Sequence, residues 1–92
     1  MTKEQFKQEL SKIKEAPSIT GRAYYHSIVL NGKYVNFIRK GKFEVEKINF
    51  EELYQLYSDS APSCPNTNNA RDYITGRVYS PAVAILAKII GC

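Results

Sequence analysis

Apolar residues recur at helical spacing in the first part of the chain. The stripe consists of Phe6, Leu10 and Ile13. This i, i+4, i+7 pattern predicts an amphipathic helix over residues 2–16, with Thr2 as its N-cap and Gln5 completing a capping box. Pro17 should end the helix, because proline has no backbone N–H to donate. The stripe is narrow, so we expect the helix to lie on the surface of the core.

The next segment, AYYHSIVL-NG-KYVNFIRK, has the alternating pattern of a β-hairpin. Asn31-Gly32 is a favoured pair for a two-residue turn, and it predicts that Leu30 lies opposite Lys33. One face then carries Leu30, Ile28, His26 and Tyr24 with Lys33, Val35, Phe37 and Arg39. The other carries Val29, Ser27, Tyr25 and Ala23 with Tyr34, Asn36, Ile38 and Lys40. The first face has the larger apolar cluster, so we expect it to face the core and the second to face solvent or a ligand.

The segment FEVEKI predicts a third strand after a short turn. A three-residue loop places Phe43 and Val45 on the core face and the two glutamates outside. A two-residue loop would reverse this and bury Glu44 and Glu46 beside Phe37, at a high desolvation cost. We therefore expect the three-residue loop. The glutamates could bind a divalent metal, but a solvated strand face explains them better.

Three helices follow the strands. INFEELYQLY predicts a helix with Asn49 as its cap and Glu52 in a capping box. Its buried stripe is predicted at Phe50, Leu53, Tyr54 and Tyr57. A short helix is predicted near residues 68–75, and a last one from Ser80 to Ile90 with Gly91 as its terminator.

The order of elements is α-β-β-β-α-α-α, which predicts an α+β fold. It has a three-stranded antiparallel meander, an N-terminal helix and three C-terminal helices. Residues 1–92 are the length of a single globular domain. The first sixteen residues lack the apolar region of a signal peptide, and no apolar stretch approaches the roughly 20 residues of a membrane span. These features predict a cytoplasmic protein that does not insert into membranes.

Cys64 and Cys92 are the only cysteines. They form no CxxC pair and, with a single histidine, cannot complete a zinc site. In a reducing cytoplasm we expect free thiols, although a disulfide between the 61–69 loop and the C-terminus is the alternative.

The segment ITGRVYSPAVAILAKIIG has the outline of a helix-turn-helix. A DNA-recognition helix needs polar side chains near its N-terminus to reach base edges. The last helix is apolar from Pro81 to Ala87, with Lys88 as its only charge, so we expect a core helix instead. Arg77 and Tyr79 in the preceding turn could contact phosphate or a base, but packing at the core edge is the better interpretation.

No catalytic constellation is evident from the sequence. His26, the only histidine, lies on the predicted core face opposite Phe37, which favours a structural role. The chain also lacks a GxGxxG segment, a Walker loop and an RNA-recognition signature. The sequence therefore predicts neither an enzyme nor a cofactor or metal site.

The charge is unevenly distributed, and this carries the functional prediction. Residues 17–42 hold five basic residues and no acid, whereas residues 43–60 hold five acids and one lysine. The two segments either form a binding face for an anion or neutralise each other in the fold. Tyrosines and cations on the outer hairpin face are typical of proteins that bind nucleic acid by stacking and phosphate contacts. The predicted binding residues are Arg22, Tyr25, Lys33, Tyr34, Arg39, Lys40, Lys42 and Arg77.

The alternative prediction is a protein-interaction module. Such a module would use the apolar C-terminal helix or the aromatic sheet face, as a homodimer or with another protein. The sequence does not decide between a nucleic acid and a protein as the partner.

Overall fold

The computed structural model describes residues 2–18 and 21–92 as an α+β fold with a four-stranded antiparallel sheet. In chain order the elements are α1 (Lys3–Ser11), β1 (Ala16–Pro17), β2 (Tyr24–Asn31), β3 (Tyr34–Arg39), β4 (Val45–Asn49), α2 (Phe50–Ser60), α3 (Thr67–Arg71) and α4 (Tyr79–Ile90). The strands are adjacent in the order β1-β2-β3-β4. The α+β class is confirmed, but the prediction of three strands missed β1.

Helix α1 begins as predicted and ends early. The Thr2 hydroxyl accepts a hydrogen bond from the Gln5 backbone at 3.2 Å, and the Gln5 side chain accepts one from the Thr2 N–H at 2.9 Å. The helix ends at Ser11 instead of continuing to Ala16. Proline sterically disfavours helical geometry for the residue before it, here Ala16. Ala16 and Pro17 instead pair with β2. Proline is tolerated there because β1 is an edge strand.

The hairpin forms with a different turn from the predicted one. Asn31 pairs with Tyr34, so the two turn residues are Gly32 and Lys33. Leu30 therefore pairs with Val35 and not with Lys33. Gly32 has a φ of 63°, as a type II′ turn with glycine first requires. Each β2 residue next to the turn pairs with a β3 residue two positions farther along than predicted. Because a strand alternates with a period of two, the β2 and β3 side chains next to the turn keep their predicted faces.

A β-bulge at Ser27 reverses the pattern farther along β2. Val29 pairs with Asn36 and His26 pairs with Ile38, so two residues of β2 face one residue of β3. Ser27 has a φ of 55°, in the left-handed region. Beyond such a bulge the alternation changes sign. Two predictions are thereby wrong: Tyr25 is fully buried, and His26 lies half-buried on the face away from the core.

The bulge gives a stability prediction at Ser27. Glycine adopts left-handed φ values without the steric penalty of a Cβ, which is about 1–2 kcal/mol per residue. We expect Ser27→Gly to leave the free energy of unfolding unchanged or raise it by up to about 1 kcal/mol, and Ser27→Val to lower it. Urea unfolding of the two variants measures this difference. A loss of stability in Ser27→Gly larger than in Ser27→Val would contradict a left-handed residue here.

Strand β4 sits in a different register from the predicted one. Glu46 pairs with Phe37, and Val45 pairs with Ile38. Phe43 is 98% exposed and Val45 is 62% exposed, so neither joins the core as predicted. The connection from β3 spans residues 40–44, which is longer than the predicted loop. Of the β4 side chains, Ile48 is the one that enters the core.

Helix α2 begins at its predicted cap. The Asn49 side chain accepts a hydrogen bond from the Glu52 backbone N–H at 3.0 Å. The Glu52 carboxylate does not return to Asn49 and instead accepts hydrogen bonds from Thr75, from the backbone N–H at 2.9 Å and the hydroxyl at 2.7 Å. This contact ties α2 to the chain after α3. The buried side chains of α2 are Phe50, Leu53 and Leu56, and its two partly buried tyrosines lie against Phe6.

Helix α4 is the central element of the core. Every residue from Pro81 to Ala87 is buried, and Lys88 is exposed. The helix begins one residue before Ser80, with Val78 as its cap, and ends as predicted at Gly91, whose φ is 95°. Among the described residues, no helix is long and apolar enough to cross a membrane.

The two cysteines are joined, contrary to the expectation of free thiols. Cys64 follows α2 in the connection to α3, and Cys92 follows α4. Their Cα atoms are 6.3 Å apart, within the range for a disulfide. The alternative stated from the sequence, a disulfide between the 61–69 loop and the C-terminus, is the correct one.

Candidate nucleic-acid interface

The sheet has one face in the core and one face in contact with solvent. The inner residues Tyr25, Ile28, Val35, Phe37 and Ile48 are all buried. The opposite face, called the outer face from here on, consists of Tyr24, His26, Val29, Tyr34, Asn36, Ile38, Val45 and Lys47. All eight of these side chains are half-buried or exposed. The outer face is thus an accessible surface with aromatic, apolar and hydrogen-bonding groups.

The outer face bears no carboxylate within the described strands β2 to β4. Its one cation is Lys47, which is exposed. Lys33 lies in the turn at one end of the hairpin, and Lys40 and Lys42 lie in the loop at the other end. The opposing charges beside this face are Glu44, in that loop, and Glu15, whose carboxylate meets the Tyr24 hydroxyl. The four lysines leave this surface with a net positive charge, as a polyanion would require.

Tyr34 is the accessible ring predicted from the sequence. Its side chain is 37% exposed, and the Lys47 ammonium lies 4.4 Å from the ring centroid. An exposed cation–π contact contributes about 0.5–1 kcal/mol, whereas base stacking contributes about 1–3 kcal/mol. A base can therefore displace the ammonium from the ring. The released ammonium would remain beside the ligand, within reach of a phosphate.

Tyr25 cannot serve as the second stacking ring. It is fully buried and meets Phe37 edge to face, with ring centroids 5.6 Å apart. Burial raises the pKa of the Tyr25 hydroxyl above its ordinary value, and the nearby Glu46 raises it further against the opposing effect of Arg39. The ring is a core residue. The prediction that Tyr25 faces a ligand is wrong because of the Ser27 bulge.

Arg39 forms an ion pair within the fold. Its guanidinium donates to both carboxylate oxygens of Glu46, at 3.2 and 3.3 Å, and lies 5.5 Å from the centroid of the Tyr25 ring. Both side chains of the ion pair are about two-thirds buried, with 34% and 31% exposed. The pair offsets the desolvation cost of a glutamate beside Phe37. The predicted phosphate contact of Arg39 would require breaking it.

The remaining predicted cations lie at separate places. Lys33, Lys40 and Lys42 are exposed at the two ends of the outer face. Arg22 is exposed just before β2. Arg77 is exposed in the connection between α3 and α4, among the helices rather than on the sheet. The structure therefore brings three of the predicted lysines to the outer face and leaves Arg77 away from it.

Two residues of the outer face were missed as candidates because the bulge had not been anticipated. Tyr24 and His26 replace Tyr25 there. The Tyr24 hydroxyl donates to the Glu15 carboxylate, which raises the pKa of the phenol above its ordinary value. The His26 Nδ1 lies 3.0 Å from the Ser27 hydroxyl oxygen. No residue type in the sequence marks Ser27 as the position where the strand changes face.

Nothing in the described residues assembles a metal site. No group of three or more His, Cys, Asp or Glu side chains in residues 2–18 and 21–92 is placed to hold a metal ion.

An open cleft of about 560 Å³ lies at the β3–β4 loop, lined by Arg39, Gly41, Lys42, Phe43, Glu44 and Glu46. Its two charged strand residues are already paired with each other. Comparison with protein-family models, curated proteins and solved structures gives no match for this chain.

Proposed function

We propose that the protein is a small non-enzymatic domain that binds nucleic acid through the outer face of its sheet. The observation that carries this proposal is a sheet face with an accessible ring and no carboxylate in its described strands, flanked by lysines at both ends. Tyr34 provides a stacking ring, and Lys33, Lys40, Lys42 and Lys47 provide phosphate contacts. Four residues predicted from the sequence are not part of this set, namely Arg22, Tyr25, Arg39 and Arg77, and Lys47 joins it.

The second candidate is a protein-interaction module that uses the same face. Val29 and Val45 are 52% and 62% exposed there, and such apolar surface often meets a protein. The C-terminal helix does not support this function, because residues 81–87 are buried in the core. Protein interfaces are depleted in lysine, whereas four lysines lie on or beside this face. We therefore favour nucleic acid as the partner over a homodimer or another protein.

Salt dependence tests the proposal. Fluorescence anisotropy with a labelled single-stranded oligonucleotide is measured at about 50 and about 200 mM salt. If four lysines contact phosphate, affinity should fall about 50-fold between these concentrations, since each contact contributes about 0.7 to the logarithmic slope for single strands. Lys47→Ala should lower that slope by roughly one contact. Absence of binding to any oligonucleotide at about 50 mM salt would contradict the proposal.

The stacking contact is tested at Tyr34. Tyr34→Ala should weaken binding about 5–150-fold, the loss expected for one stacked base. Tyr34→Phe should bind like the unsubstituted protein, because the ring and not the hydroxyl makes the contact. Val29→Ala is the matched control on the same face, and it should change oligonucleotide affinity little. A protein-interaction module would show the reverse, with Val29→Ala weakening partner binding.

The proposal places this protein in the cytoplasm. The disulfide works against that location, because disulfides are rare in reducing compartments. Alkylation of free thiols in intact cells, before lysis, decides between the two. Unmodified Cys64 and Cys92 would point to an oxidising compartment and remove the cytoplasmic part of the proposal.

A further inference from the structure

We infer that the nucleic acid bound by the outer face is single-stranded and that Phe43 is its second stacking contact. This inference rests on the proposed function and names the ligand class of the same face. Phe43 lies in the loop between β3 and β4, between Lys42 and Glu44. Its side chain is 98% exposed, whereas the other exposed large apolar residues of the described chain range from 37% to 62%.

The exposure of Phe43 has no explanation within the fold. Burying a phenylalanine ring is worth about 1.5–3 kcal/mol, and the core gains none of this from Phe43. The adjoining lysines, Lys40 and Lys42, outnumber Glu44 in the same loop, so the loop has a net positive charge. A ring in water beside two cations suits a base and its phosphates, because every base offers a π-face for stacking.

The two rings stand at opposite ends of strand β3, Tyr34 on the outer face and Phe43 in the loop beside the cleft that Arg39 and Glu46 line. Tyr34 is the first residue of β3, and the Phe43 loop follows Arg39, the last residue. Six residues of antiparallel strand span about 17 Å, which is the distance between the two ends of β3 that carry Tyr34 and the Phe43 loop. Stacked nucleotides of one strand rise about 3.4 Å each. At this stacked spacing about six nucleotides cover the length of β3, and fewer are needed where bases leave the stack to lie on the rings, which is near the lower end of the site sizes of single-strand binders.

Double-stranded DNA does not fit this surface. The major groove is about 12 Å wide and admits an α-helix or a two-stranded ribbon. The axes of β2, β3 and β4 alone span about 10 Å, and their side chains widen the face beyond the groove. Stacking on Tyr34 and Phe43 also requires bases that are free of their own stack. The geometry of the face thus favours a single strand laid across it.

The protein contains no tryptophan, so a single introduced tryptophan reports on this contact without background emission from other indoles. Phe43→Trp places a single indole at the inferred contact. Its emission is followed during titration with oligonucleotides of about 3 to about 12 nucleotides and with a duplex of the same sequence. We expect quenching by single strands of about six nucleotides or more and little response to the duplex.

Affinity measurements on variants without the introduced tryptophan complete the test. Phe43→Ala should weaken binding of a ten-nucleotide strand about 5–150-fold, as expected for one lost stacked base. It should leave a three-nucleotide strand unaffected, because that strand is too short to reach both rings. Phe43→Leu keeps an apolar side chain but no π-face, and it should bind as weakly as Phe43→Ala. Since Phe43 lies outside the core, all three variants are expected to keep the melting temperature of the parent.

The outcomes separate this inference from the proposed function. If Phe43→Ala or Phe43→Leu binds the long strand like the parent while Tyr34→Ala does not, the inference is wrong and the proposed function stands. Duplex binding as tight as single-strand binding would also overturn it. If vesicles of anionic phospholipid shift the indole emission and no oligonucleotide does, the loop is a membrane contact and the inference is wrong; the proposed function fails with it only if no oligonucleotide binds in the anisotropy assay either.

Discussion

Replacing Ile85 or Leu86 with alanine is expected to lower the free energy of unfolding by about 2–5 kcal/mol, the range for truncating a buried aliphatic side chain. Both side chains are fully buried, in the middle of the buried segment of α4. A chain of 92 residues has a total stability of roughly 5–14 kcal/mol. Either variant therefore loses a large part of the total, and its melting temperature should fall by about 8 °C or more.

The matched controls for these variants are Lys88→Ala on the same helix and Arg77→Ala before it. Both side chains are exposed, so each change should alter the melting temperature by no more than a few degrees. Thermal unfolding of all four variants, with duplex DNA affinity recorded alongside, makes the comparison. Wild-type melting of Ile85→Ala and Leu86→Ala together with loss of tight duplex binding in Lys88→Ala or Arg77→Ala would mean that α4 is a recognition helix.

The elements that depend on local chemistry could be predicted from the sequence. The hydrogen bonds at Thr2 and Asn49 form as the capping residues predict, and Gly91 ends α4 in a left-handed conformation. The apolar run of α4 predicted a buried helix, because a helix that is apolar all round has no side to present to water. Such signals lie within one or two turns of chain. The exception is Glu52, predicted to complete a capping box with Asn49, whose carboxylate accepts hydrogen bonds from Thr75 instead.

The elements that depend on distant partners could not be predicted. Strand β1 has only two residues, and it forms because β2 offers its free edge to Ala16 and Pro17. The bulge at Ser27 inserts one residue into β2, and a period-2 pattern gives no sign of where such an insertion falls. One inserted residue reverses the facing of every β2 position on the side of the bulge away from the turn, which is why Tyr25 and His26 exchange the faces predicted for them.

The residues of the candidate site differ in the same way. Tyr34 lies beside the turn and keeps the accessible position predicted for it, whereas Lys33, predicted opposite Leu30 on the core face, lies exposed in the turn itself. Arg39 lies past the bulge, where Glu46 neutralises it. That pair depends on the register of β4, which follows from a longer loop than the one expected. Lys47 becomes a candidate only once this register is known, because it then faces Tyr34.

Removing the disulfide is expected to lower the free energy of unfolding by about 3–4 kcal/mol, the chain-entropy value for a loop of this length. Cys64 and Cys92 are separated by 28 residues, so the link restricts about a third of the unfolded chain. Both residues are exposed, and the double variant Cys64→Ser/Cys92→Ser therefore creates no cavity in the core. Urea unfolding of this variant and of the parent measures the difference.

Reduction separates the effect of the link from the effect of the serines. With a thiol reductant present, the parent should unfold at the urea concentration of the double variant, and the variant itself should not respond. Equal stability of the oxidised parent and the double variant would contradict a stabilising link. The link joins a loop and a helix end, whereas α4 is held by buried side chains such as Ile85. Reduction should therefore weaken the fold without unfolding it, and oligonucleotide affinity at the outer face should survive, since neither cysteine lies on the sheet.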